Sequence, residues 1–63
     1  MELNVKKIRE EKGLTQQELS DQSGVSRATI ASLESRHEVV TTTSTLQKLA
    51  RALKVKVSDL FLQ

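Results

Sequence analysis

The 63-residue chain has no cysteine, proline, tryptophan or tyrosine, and a single phenylalanine. Without cysteine it has neither a disulfide framework nor a thiolate metal site, a composition that suits a reducing cytosol. No apolar run approaches the roughly 18 residues of a membrane span, and the N-terminus lacks the long apolar core of a signal peptide. With one histidine and no paired acids at metal-ligand spacing, neither a nucleophile with its base nor a metal centre can be assembled. Glu10 and Glu11 are adjacent, so on a helix they splay about 100° apart. Gly13 and Gly24 follow no strand and form no phosphate-cradling loop. No enzyme, no cofactor, no metal and no membrane association is expected, and residues 1–63 are expected to form one small cytoplasmic domain. A domain of this size buries only about 60% of the surface its unfolded chain exposes, so a modest stability on the order of 3–9 kcal/mol is expected.

What the chain does contain is charge and helical periodicity. Its net charge is +2, unevenly spread: residues 1–24 carry four basic against five acidic side chains, residues 25–63 six basic against three acidic. That asymmetry points towards an anionic partner without identifying one.

Leu3, Val5 and Ile8 mark an apolar side of a first helix, and Lys6, Lys7, Arg9 and Lys12 a basic one. The helix is expected over about residues 4–12, closed by Gly13 in the left-handed conformation. Thr15 to Glu18 then reads as a capping box, with Leu14 and Leu19 as the hydrophobic staple across the start of a second helix. The arrangement recurs at once: Val25 precedes a Ser26 cap, and Ile30 and Leu33 carry the buried stripe of a third helix. Only Ser23-Gly24-Val25 separates these two helices, and Gly24 can adopt the positive φ of a tight turn. Helices joined this closely must cross at a large angle, which makes the pair a helix-turn-helix.

Downstream, Glu38 to Thr43 is β-branched and reads as a loop or short extended segment. Thr42 or Ser44 is then placed to cap a fourth helix, whose Leu46, Leu49, Ala50 and Leu53 recur at i, i+3, i+4 and i+7. Ser58 is read as the cap of a short last turn that anchors Leu60 and Phe61 on the core.

In this order and spacing, the segments IREEKGLTQQELS, SGVSRATIASLE, LQKLARALKV and VSDLF resemble the lambda repressor and Cro-like, or Xre-type, helix-turn-helix domains over nearly the whole chain. The resemblance implies an all-α fold, a compact bundle of five short helices, and a sequence-specific DNA-binding transcriptional regulator of the bacterial or phage kind. Winding the third helix with Ile30 and Leu33 inward sends Ala28 outward, with Ala31 and Ser32 on either side and Arg27 near the N-terminal end. In the family the positions of Arg27, Ala28 and Ser32 touch base edges in the major groove, so those roles are expected here. Arg27 suits a bidentate pair with guanine, Ala28 a thymine methyl, and Ser32 alone specifies little. Phosphate contacts are expected from Gln16 at the start of helix two, from Ser26 and Thr29 at the mouth of helix three, and from Arg36 and His37 after it. Lys48, Arg51, Lys54 and Lys56 read as an ordinary solvated face. The chain departs from the family pattern at Ser20, where alanine is usual, at Ser35-Arg36, where Asn-Gly is frequent, and at Lys54, which replaces a frequent glycine.

A lone recognition helix spans few base pairs, so a homodimer reading an inverted repeat of double-stranded DNA is expected. Phe61 and Leu62 are the first candidates for the dimer contact, and Val39 and Val40 the second. The rival reading is an antitoxin or co-regulator that works mainly by binding a protein partner and uses DNA binding for autoregulation. With no second domain or effector pocket expected, regulation should follow protein concentration and dimer occupancy.

Overall fold

Apolar residues at helical spacing become helices here wherever a cap lets the chain start and a left-handed residue lets it stop. In a computed structural model, whose described residues are 3–35 and 42–61, α1 is Val5–Glu11, α2 Gln16–Ser23, α3 Arg27–Ser35 and α4 Thr43–Leu53, followed by a 3-10 turn over Val57–Leu60. The fifth helix is thus a single tight turn. Among the described residues there is no named strand, only an isolated antiparallel bridge between Leu3 and Phe61. Beside that bridge the Asn4 N–H donates to the Leu60 carbonyl at 2.6 Å, so the two ends of the described chain are tied together.

The caps set the boundaries. The Thr15 hydroxyl accepts from the Glu18 N–H at 3.0 Å while the Glu18 carboxylate accepts from the Thr15 N–H at 2.9 Å, the reciprocal pattern that satisfies two orphan donors. Ser26 caps α3 by accepting from the Thr29 N–H at 3.2 Å. Thr42, rather than Ser44, caps α4. Gly13 and Gly24 have φ of 73° and 76°, so both stand where a side chain would strain the backbone. The stop after α4 comes from Lys54 itself, which takes φ 59° where glycine would cost less.

Eleven apolar side chains form the buried core, from Val5 and Ile8 of α1 through Leu19, Val25, Ile30 and Leu33 to the α4 stripe and Leu60. α2 packs against both α3 and α4, the 3-10 turn against α4, and α1 against α3. Because α3 is gripped along its Ile30 and Leu33 side, its opposite side is held out to solvent as a fixed surface. Ser20, at the helix crossing, is half-buried.

Two sequence expectations are corrected. The cap of the last turn is not Ser58: the Asp59 carboxylate reaches back to accept from the Lys56 N–H at 3.0 Å, because in a 3-10 turn the third residue sits closest to the entering chain. Nor is Arg9 part of a solvated basic face, since it is 8% exposed.

Candidate nucleic-acid interface

The outer face of α3 carries Arg27, Ala28 and Ser32, all exposed, with Ala31 half-buried at its edge. The expected base-reading residues therefore lie together on one surface, at the start and middle of a helix whose opposite side is core. Among the described residues the ion pair between Arg9 and Glu34 is the sole one, so the Arg27 guanidinium is not neutralised there. At the mouth of α3 the Ser26 and Thr29 hydroxyls share a hydrogen bond of 2.8 Å. Each keeps further hydrogen-bonding capacity for a phosphate oxygen.

Behind this face lies a network that joins three helices. Arg9 Nε donates to Glu34 Oε2 at 2.8 Å and Nη2 to Oε1 at 3.0 Å, a two-pronged pair, while Nη1 donates to the Leu14 carbonyl at 2.6 Å. Gln16 Nε2 donates to the same Glu34 Oε1 at 3.0 Å. The Arg9 pKa is raised above its ordinary value, first by the hydrogen bond to Glu34, against the lowering effect of burial, with the Glu34 and Glu10 charges adding. The expected phosphate ligand Gln16 is half-buried and tied through Glu34 to the end of α3.

An open groove of about 470 Å³ runs over this network, bounded by Lys6, Gln16, Ala31, Ser32 and Ser35 with Arg9 and Glu34 at its floor. Lys6, Arg9 and Glu34 were not expected at a binding surface. A signal for the buried pair was present, since Arg9 is four residues after Val5 and Glu34 four after Ile30, which places each on the core side of its helix.

Phe61 is half-buried, packed on the core and bridged to Leu3. Arg36, His37, Val39, Val40 and Leu62 lie outside the described residues. Among the described residues no group of acidic or histidine side chains is arranged to hold a metal, and no helix is long and apolar enough to cross a membrane.

Comparison with known proteins agrees with this geometry. A family described as helix-turn-helix matches residues 5–60. Among solved structures, the restriction-modification controller protein C.AhdI from Aeromonas hydrophila superposes with a TM-score of 0.83 at 31% sequence identity, over 92% of this chain and 86% of that one. No curated protein matches the chain.

Proposed function

The chain belongs to the helix-turn-helix family of the Xre and lambda Cro type, and from that premise we propose that it is a dimeric repressor reading an inverted-repeat operator through α3 in the major groove. Membership makes it a DNA-binding transcriptional regulator rather than an enzyme. The observation that carries the finer reading is the exposed Arg27, Ala28 and Ser32 face on a helix whose other side is locked in the core. A rigid helix presents its side chains to base edges without an ordering cost at each encounter. Arg27 reads guanine O6 and N7, Ala28 meets a thymine methyl, and Ser32 adjusts to either neighbour. Ser26, Thr29 and Gln16 fix the register on the phosphates.

One such face covers a few base pairs, and two related by a two-fold axis double the site at a spacing of about 34–36 Å. Phe61, at the end where both chain termini of the described structure meet, is the described candidate for that contact. Residues 1–63 act as one DNA-binding domain in the cytoplasm of a bacterial or phage-infected cell.

The test is selection of bound sequences from random duplex DNA, followed by affinities for the winner and for scrambled duplex at two salt concentrations. An enriched inverted repeat with half-site centres about one helical turn apart, keeping its advantage at high salt, is the expected result. Binding that shows no enrichment and vanishes with salt would move the reading to a regulator that works through a protein partner.

A further inference from the structure

We propose that Lys6 of α1 holds a DNA phosphate in the groove it shares with Gln16 and Ser35, so that the first helix takes part in binding; the inference rests on the DNA-binding reading above. Ser32 belongs both to the outward face of α3 and to the groove wall, so the groove continues directly from the surface that faces the bases. A strand whose bases lie against Ser32 must carry its backbone past that edge.

The charges in the groove decide what it accepts. Its single carboxylate, Glu34, is engaged by Arg9 through two hydrogen bonds and by Gln16 through a third, which leaves the floor neutral as a unit. Lys6 is exposed, lines the groove and forms no ion pair among the described residues. The groove therefore carries a net positive charge from Lys6 alone. Donors surround it: Gln16 uses Nε2 on Glu34, and its amide has a second N–H to give. The Ser35 hydroxyl donates only a long bond of 3.4 Å to the Ser32 carbonyl, weak enough to be exchanged. Gln16 is also the first residue of α2, where unpaired backbone N–H groups and the helix dipole favour an anion. A wide open trough suits a phosphodiester running along it better than an enclosed small ion.

Lys7 supplies an internal control, being equally exposed and adjacent but outside the groove lining. The experiment measures affinity for the selected duplex and for scrambled duplex across a salt series, for the unaltered chain, Lys6→Ala, Lys6→Gln, Lys6→Arg and Lys7→Ala. Lys6→Ala and Lys6→Gln are expected to lower the slope of log affinity against log salt by about 0.9, the value for one lost phosphate contact. Both should weaken binding on the order of fivefold to tenfold near 0.1 M salt, equally for the two duplexes. Lys6→Arg should keep the slope, and Lys7→Ala should change it much less than Lys6→Ala. An unaltered slope in both neutral Lys6 variants overturns the inference and leaves the DNA-binding reading in place. Equal losses for Lys6→Ala and Lys7→Ala also overturn it, since a diffuse positive field needs no groove. Failure of the unaltered chain to bind any duplex overturns both.

Discussion

Arg9 and Arg27 bear the same guanidinium group in opposite surroundings. Arg9 is 8% exposed and held by three hydrogen bonds where α1, the following turn and α3 meet, whereas Arg27 stands exposed at the start of α3. The first completes the inside of the molecule and the second is left for a partner. A buried charge holds a fold only through its counter-charge, because removing either leaves the other desolvated and unpaired. An exposed arginine has little effect on stability, and its forked donors remain free for a planar acceptor such as guanine.

The contrast breaks most visibly at Glu34. Glu34→Ala strands Arg9 in its buried site, and a loss of about 3–5 kcal/mol is expected, enough to unfold a large share of so small a domain. Replacing both members by apolar residues, Arg9→Met with Glu34→Leu, should bring stability back to within about 1 kcal/mol of the original or above it. Denaturant unfolding of the three proteins measures both steps. A single mutant as stable as the unaltered chain would show that the pair does not hold α1 against α3.

Arg27→Ala probes the other half of the comparison. Its unfolding free energy should stay within about 0.5 kcal/mol of the original, while about 1–3 kcal/mol of discrimination is lost at one base position. Repeating the sequence selection with the variant shows whether that position becomes degenerate. If the preference is unchanged, the recognition face lies elsewhere.

Gln16 belongs to both worlds, bonded inward to Glu34 and facing the groove outward. Gln16→Ala should cost about 1 kcal/mol of stability through the lost hydrogen bond. Operator and scrambled duplex should lose affinity in the same proportion, as a phosphate contact requires. Unfolding and binding titrations on the one variant separate the two effects. A change in which sequence is preferred would assign Gln16 to base reading instead.

The difference between the two arginines also marks what could be read from the chain. The capping box at Thr15 and Glu18, the positive-φ glycines, the α4 stripe and the outward set on α3 each follow from spacings within one or two helical turns, and local chemistry decides them. The Arg9 to Glu34 pair joins residues 25 apart in sequence. Nothing local to Arg9 distinguishes it from Lys6, Lys7 and Lys12 except its position four residues beyond Val5, and that clue acquires meaning only once Glu34 is known to face it. Lys54 was expected to need a C-cap made without the left-handed conformation that glycine adopts cheaply. It takes that conformation itself, because the backbone must turn there to bring Val55 and Val57 back to the core. The groove was illegible for the same reason as the ion pair: three helices contribute to it, and their packing, rather than any one segment, brings Lys6 beside Ser35.

The smallest expected effect is a null result with a defined sign. The folded-state pKa of Arg9 is raised by its hydrogen bond to Glu34, so the stabilisation it contributes is complete below the unfolded arginine pKa and disappears only as pH climbs through the still higher folded value. The stability gap between the unaltered chain and the Arg9→Met, Glu34→Leu double variant should therefore stay constant to within about 0.3 kcal/mol between about pH 7 and about pH 10, a range in which ordinary lysines begin to titrate and arginine does not. Denaturant unfolding at the two pH values measures the gap. A gap that changes as the solution becomes alkaline would mean that lysine charges, and not the paired guanidinium, set the electrostatics of the α1 to α3 junction. Lys6, the lysine lining the same groove, would be the first to replace.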